Sequence, residues 1–228
     1  MKKIGILLSG NGVYDGSEIQ ETVFSLLAIA EHGSEVLFMA PNVTQMHVIN
    51  HLTGEEMPES RNVLFESARI ARGDIEDLAN VYANDIDALV IPGGFGTAKN
   101  HTTWAVNGPD GEINTEVKRI ILEVIAANKP IVALCMGPTT VAKALQGSGK
   151  KVQLTVGTTS EKSPYDIGAI SEGMNATGAL TQMKSVSEIC VDPSWNIISA
   201  PCYMMEASVL QVRQNIKQAV NEMFKKLT

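Results

Sequence analysis

Four short apolar runs, each stopped by glycine, proline or a polar turn, are spaced so that a helix fits between them. They are residues 3–8 (KIGILL), 35–40 (EVLFMA), 87–91 (DALVI) and 131–134 (IVAL). Apolar runs of this length, without polar alternation, predict strands buried on both faces. Residues 17–31 carry helical spacing, with Ile19, Val23, Leu26, Leu27 and Ala30 along one side. Residues 114–128 do the same through Val117, Ile120, Ile121, Val124 and Ile125, and residues 138–145 read as a further helix. Strands that alternate with helices predict an α/β domain with a mostly parallel sheet and helices on both faces. Ser17, with Gln20 three residues on, predicts a capping box for the first helix, and Gly33 predicts its stop.

The late sequence changes character. Residues 188–191 and 196–200 flank DPSW, which predicts a hairpin at the sheet edge. A last helix is expected over about residues 206–224. No repeat or linker divides the chain, so a single domain over 1–228 is expected. Residues 42–85 are the least regular, with helical stretches expected at VTQMHVINHL and NVLFESARIA. They read as an insertion between the second and third core strands, expected to cover the pocket or to form a dimer contact.

The net charge of −7 disfavours polyanionic partners, so neither nucleic acid nor an anionic membrane is expected. The apolar run after Met1 stops at Gly10, Asn11 and Gly12, too soon for a signal peptide, and a cytoplasmic protein is expected. Cys135, Cys190 and Cys202 form no zinc spacing, and an odd count without close pairing argues against a disulfide framework.

The stretch IVALCMGPTT puts Cys135 first past a strand's carboxyl end, where ligands bind in parallel sheets. Gly137 allows a tight turn, and Pro138 suits a first helical turn. A thiol there lies near the positive end of a helix, which favours thiolate, in a turn like a nucleophile elbow. The alternative is an inert core cysteine. PGGFG (92–96) ends a neighbouring strand, so the backbone N–H groups of Gly94 and Met136 are candidates for an oxyanion pocket. Gly93, Gly94 and Gly96 also suit a plain tight turn. Glu18 and Glu21 start the helix after the first strand, on the same rim, and either carboxyl is a candidate proton carrier for the thiol. Glutamates complementing a helix dipole are the plainer reading.

These residues resemble the ThiJ/PfpI superfamily, the class I glutamine amidotransferase-like proteins. The resemblance rests on ETV from Glu21, PGGFG, ALCMGP (133–138) and SAPCYM (199–204), and it covers nearly the whole chain. SGNGVYDGSEIQE, VINHLTGEE, RNVLFESARIARG and PGGFGTAKN are similar to ElbB-type members, also called isoprenoid-biosynthesis proteins. The resemblance implies a flavodoxin-like three-layer sandwich, a homodimer, and a nucleophilic Cys135 paired with Glu21, with Glu18 as the alternative. It implies no cofactor and a small 2-oxoaldehyde substrate, converted as by a glyoxalase III-type lyase. An oxidation-sensing or chaperone-like role for the same cysteine, or an unidentified substrate, are the alternatives. The amidotransferase and peptidase relatives pair cysteine with histidine. Here Met136 follows the cysteine and no histidine follows His101, so glutaminase or peptidase chemistry is not expected.

Gly10, Gly12 and Gly16 follow the first strand as GxGxxxG rather than GxGxxG, and no acidic residue ends the second strand. A turn shaping the site mouth is therefore expected in place of a nucleotide site. Asn11 in that turn, Gly93, His101 and Cys202 are candidates for the substrate pocket. His47 and His51 sit four apart, but no third ligand is evident and no metal is expected. Arg61, Arg69 and Arg72 are candidates to bind an anionic group; exposed helix charges are the plainer reading.

Overall fold

The computed structural model describes residues 1–227. In chain order the strands are β1 (Lys3–Leu7), β2 (Glu35–Ala40), β3 (Glu76–Asp77), β4 (Ala88–Ile91), β5 (Ile131–Leu134), β6 (Gln153–Gly157), β7 (Leu180–Met183), β8 (Cys190–Asp192) and β9 (Ile197–Ala200). The helices are α1 (Ile19–Glu31), α2 (Val63–Ile70), α3 (Trp104–Asn107), α4 (Thr115–Ala126), α5 (Gly137–Leu145), α6 (Ile167–Ala176) and α7 (Val209–Lys225). Seven strands form the main sheet in the order β3-β2-β1-β4-β5-β9-β8. All pair in parallel except β8, which runs antiparallel to β9. This is the flavodoxin-like α/β architecture, with the expected hairpin at the edge. Every residue of β4 and β5 is buried, as the unbroken apolar runs require.

The strand order locates the site. From β1 the chain steps through α1 to β2 on one side; from β4 it steps through α4 to β5 on the other. Right-handed crossovers in opposite directions place α1 and α4 on opposite faces. The reversal falls between β1 and β4, and the loops beyond their carboxyl ends diverge there to leave a crevice.

Several expectations need correction. Helix α1 starts at Ile19 with Glu18 as its cap, because Glu18 Oε2 accepts from the Glu21 N–H at 2.6 Å. The Ser17 hydroxyl is already engaged: it accepts from the Ser9 N–H at 2.8 Å. The helical spacing of α1 is present, but its sense is reversed. Ile19, Val23 and Leu27 are each close to 45 % exposed, whereas Glu21, Thr22 and Ser25 are fully buried. The Ser25 hydroxyl bonds back to the Glu21 carbonyl at 2.7 Å, which satisfies it inside the core.

The segment 42–85 also differs. NVLFESARIA contains α2, whose cap Asn62 accepts from the Phe65 N–H. VTQMHVINHL is not helical, so His47 and His51 share no helix face. It is a loop tied down by isolated bridges, Thr44 to Asn62 and Ile49 to Glu56. Residues 76–77 then join the sheet as β3 beside β2, a pairing too short to show in the sequence.

Candidate functional site

At the crevice, four loops bring together groups far apart in sequence. Cys135 follows β5 with φ of 54°, a left-handed conformation that costs a non-glycine residue about 1–3 kcal/mol. Parallel pairing on both flanks of β5 and the start of α5 hold it there. Gly137 is required for that start, since a Cβ would lie 2.7 Å from the Ile91 carbonyl oxygen of β4. The turn has the tight strand-to-helix geometry expected at Cys135, and its sulfur faces the backbone N–H groups of Gly94 and Met136.

Glu21 is the carboxyl on the sulfur. It is fully buried, and its Oε2 and the Cys135 sulfur converge on Gly93. The Gly93 N–H donates to its Oε2 at 2.8 Å, and the Tyr203 N–H donates to its Oε1 at 3.3 Å. Burial, with the nearby charge of Glu18, pushes the Glu21 carboxyl up to about 8, against these N–H donors. It is therefore mostly neutral at pH 7. Glu18 sits at the α1 cap and lines the cavity; burial raises it as well.

The thiol differs from the expectation of a ready thiolate. Burial raises Cys135 well above the usual thiol range, and negative charge on Glu21 adds to this. The Gly94 and Met136 N–H groups pull the other way without overcoming it. In this dry site the helix terminus is the weaker influence. The resting pair holds both protons, on sulfur and on carboxyl.

Gly93 is the piece with no tolerance. A Cβ there would come within 2.3 Å of the Cys135 Cβ, 2.7 Å of its sulfur and 2.8 Å of Glu21 Oε2. Gly94, at φ of 93°, packs on the glycine-rich turn, where a Cβ would meet the Gly16 carbonyl oxygen at 2.4 Å. That turn shapes the mouth as expected. The Val13 carbonyl accepts from the Phe95 N–H at 2.7 Å, and Val13 lines the cavity.

Above the thiol is a cavity of 240 Å³ with mainly apolar walls. Sequence reasoning missed most of these walls: Phe95, Trp104, Tyr165, Ile170, Tyr203 and Met204. Phe95 lay within PGGFG, and Tyr203 and Met204 within SAPCYM; Trp104, Tyr165 and Ile170 gave no local signal. Tyr165 roofs the cavity because its segment is pinned to the chain after β9. The Ser163 hydroxyl donates to the Met204 carbonyl at 2.6 Å, and the Glu206 N–H donates to the Lys162 carbonyl at 3.0 Å. Burial and the charges of Cys135 and Glu21 push the Tyr165 phenol up to about 12, so it stays neutral.

Other candidates lie elsewhere. His101 ends one turn of π-helix over Thr97–His101 and is fully buried. Its Nε2 donates to the Leu8 carbonyl at 2.9 Å, which draws the ring under β1 and away from the cavity. Burial lowers its pKa to about 4, so it is a neutral core residue. Asn11 contributes only backbone, bridged to Ser17, and does not line the cavity. Cys202 is fully buried behind Cys135 and does not line it either.

No residue of 42–85 lines the cavity, so that segment is not its cover. It braces the mouth instead. The Asp15 carboxylate accepts from the Ile49 N–H at 2.6 Å, and His51 Nε2 accepts from the Tyr14 N–H at 3.2 Å. Arg61 and Arg69 pair with Glu59 and Glu66, and neither they nor Arg72 reach the site. Among the described residues, no helix is long and apolar enough to cross a membrane.

Comparison with known proteins gives a consistent result. No family model matches the chain. The human glutamine amidotransferase-like class 1 domain-containing protein 3, mitochondrial, is 43 % identical over 224 residues, covering 96 % of this chain and 81 % of that protein. The rat ES1 protein homolog, mitochondrial, is 42 % identical over the same length, covering 96 % and 82 %. An isoprenoid biosynthesis protein with an amidotransferase-like domain from Ehrlichia chaffeensis superposes with a TM-score of 0.90 at 32 % identity, covering both chains fully. Drosophila melanogaster DJ-1beta shares the fold at a TM-score of 0.57 and 16 % identity, covering 99 % of this chain and 93 % of that one. The mitochondrial names of the curated relatives overturn the cytoplasmic expectation. That expectation rested on a missing leader pattern, and a missing pattern is not an address.

Proposed function

We propose that this chain, which belongs to the class 1 glutamine amidotransferase-like family within the DJ-1/ThiJ/PfpI superfamily, converts 2-oxoaldehydes to 2-hydroxy acids on Cys135. The observation that carries the reading is the thiol set beside a buried Glu21 carboxyl against Gly93, with two N–H donors facing the same sulfur. Among the described residues no histidine lines the cavity, and the carboxyl is the proton carrier in this reading. We assign the setting as mitochondrial, from the names of the curated relatives.

The pair becomes competent when it loses one proton. Glu21 then takes the thiol proton as sulfur bonds to the aldehyde carbon. The Gly94 and Met136 N–H groups stabilise the oxyanion until Glu21 returns that proton to it, giving a hemithioacetal. Glu21 next removes the C1 hydrogen as a proton; the electron pair forms the C1=C2 bond, the C2=O pair moves onto its oxygen, and Glu21 returns the proton there to give an enediol. Loss of the C1 hydroxyl proton to Glu21 then forms the C1=O bond as the C1=C2 pair takes that proton at C2, leaving a 2-hydroxy thioester on Cys135. Water cleaves it to the 2-hydroxy acid and the free thiol. The sum is aldehyde plus water to acid; both electrons stay in the substrate, so the steps need no redox partner.

The test is glycolate or lactate formation from glyoxal or methylglyoxal by the purified chain. Retention of the full rate by Cys135→Ala sinks the mechanism. A second reading, peroxide sensing, draws on the neutral Glu21 carboxyl, which can donate to a sulfinate. A peroxide would leave most of the 240 Å³ cavity above the thiol without contacts, so the aldehyde reading leads. Selective gain of two oxygens at Cys135 with negligible aldehyde turnover would reverse that order. For self-association, the exposed Ile19, Val23 and Leu27 of α1 support a homodimer contact.

A further inference from the structure

We propose that the substrate is a 2-oxoaldehyde whose other end is a large uncharged apolar group, an aryl or extended alkyl substituent, rather than glyoxal itself. This rests on the 2-oxoaldehyde reading and specifies its substrate class. The reacting atoms need only the floor of the site, where Cys135, Glu21 and the two N–H donors converge. The cavity continues well beyond them, to 240 Å³. For scale, an apolar cavity of about 150 Å³ accepts a benzene molecule. A two-carbon dialdehyde fills the floor and leaves the walls without contacts.

The walls have a consistent chemistry. Phe95 and Tyr165 meet edge to face at 5.7 Å and form one side. Trp104, Ile170 and Met204 supply further apolar surface. The Trp104 indole is fixed in place: a Cβ on Gly173 of α6 would sit 3.0 Å from it, so only glycine lets α6 approach so closely. A flat ring fits between aromatic faces.

Charge argues the same way. None of the residues lining the cavity is lysine, arginine or histidine. The nearby Lys99 donates to the Tyr14 carbonyl at 2.8 Å outside the cavity. Glu18 is the ionisable carboxyl on the wall, already holding the α1 N–H groups. A carboxylate or phosphate on the substrate would lose its water, gain no cation and face Glu18. An apolar substituent leaves water and finds matching surface.

The experiment has two arms on the full chain. The first compares kcat/KM for phenylglyoxal and glyoxal. A ratio of at least about ten is expected, since each methylene-sized contact in an apolar pocket is worth about that factor. Ala105→Trp, at the exposed cavity rim, is expected to fill the space and cut that ratio, as is Trp104→Ala if it folds. The second arm needs no turnover. In a Trp195→Phe background, Trp104 is the remaining tryptophan. Acetophenone, uncharged and without an aldehyde, is expected to change its emission saturably, and benzoate is not. Equal or better use of glyoxal overturns the substrate class while leaving the aldehyde chemistry standing. Saturable acetophenone binding with no turnover of any aldehyde sinks the aldehyde reading and retains an aryl-binding site. Absence of both overturns both.

Discussion

Cys135 and Cys202 form a natural pair of experiments within one molecule. Each follows a strand, β5 and β9, and those strands are hydrogen-bonded neighbours. Each adopts a positive φ, 54° and 49°. Burial raises the thiol pKa of both well above the usual range. Only Cys135 opens onto the cavity and touches a carboxyl. Cys202 lies in the interior, and its N–H is held by Asn215 Oδ1 at 3.0 Å. The same strained turn therefore holds two thiols in different surroundings. The proton partner and the approach route separate the two.

The comparison can be broken most directly at the sulfur. Cys135→Ala is expected to lower aldehyde turnover by more than about a thousandfold, read as 2-hydroxy acid formation. Next is the carboxyl. Glu21→Gln should cost about 10²–10⁴-fold in kcat. In the wild type, kcat/KM should rise with pH through a midpoint near 8 and level off above it, as the pair loses its first proton; the variant should lack that rise. Stability supplies the matching sign. The folded carboxyl titrates near 8 against an ordinary 4.5, so the stabilisation from keeping it neutral is complete below 4.5. It is lost as pH climbs through 8. Chemical denaturation at pH 5 and pH 8 should show the wild type losing ground relative to Glu21→Gln.

Gly93→Ala keeps every reacting group and displaces them. With atoms at 2.3–2.8 Å from the new Cβ, a shift of the sulfur and carboxyl should reduce kcat by about a hundredfold. A crystal structure of the variant would show that shift, and an unmoved pair with full activity would contradict the account. Smallest is Cys202→Ala, expected to keep turnover within about threefold and to cost about 1 kcal/mol in denaturant unfolding. Loss of activity on the scale of Cys135→Ala would erase the distinction between the two thiols.

The sheet was legible because β1, β2, β4 and β5 are apolar runs with no polar alternation, and the floor of the site was legible because Cys135, Gly93, Gly94 and Glu21 all follow strand ends. The facing of α1 was not. Periodicity reports spacing but not which side is inward, and here buried Thr22 and Ser25 satisfy their hydroxyls on the helix's own carbonyls. VTQMHVINHL has helical spacing, but its backbone N–H groups find other partners, as at Ile49 with Asp15 and Met46 with Asn100. Strands β3 and β7 are short or largely exposed and carry no apolar signature. Trp104, Tyr165 and Ile170 meet only through tertiary packing, so no local pattern announces the cavity.

The four loops of the site have a consequence for the order in which the protein is made. Glu21 waits for Gly93, both wait for Cys135, and the Tyr203 N–H that holds the second carboxyl oxygen comes last. Strand β9, which flanks β5, precedes it by only a few residues. A nascent chain that has exposed the cysteine still lacks the neighbour strand that fixes its turn. The setting of the thiol is complete only once Tyr203 has been made, so a product truncated between Cys135 and Tyr203 carries the cysteine without the N–H that holds the second carboxyl oxygen.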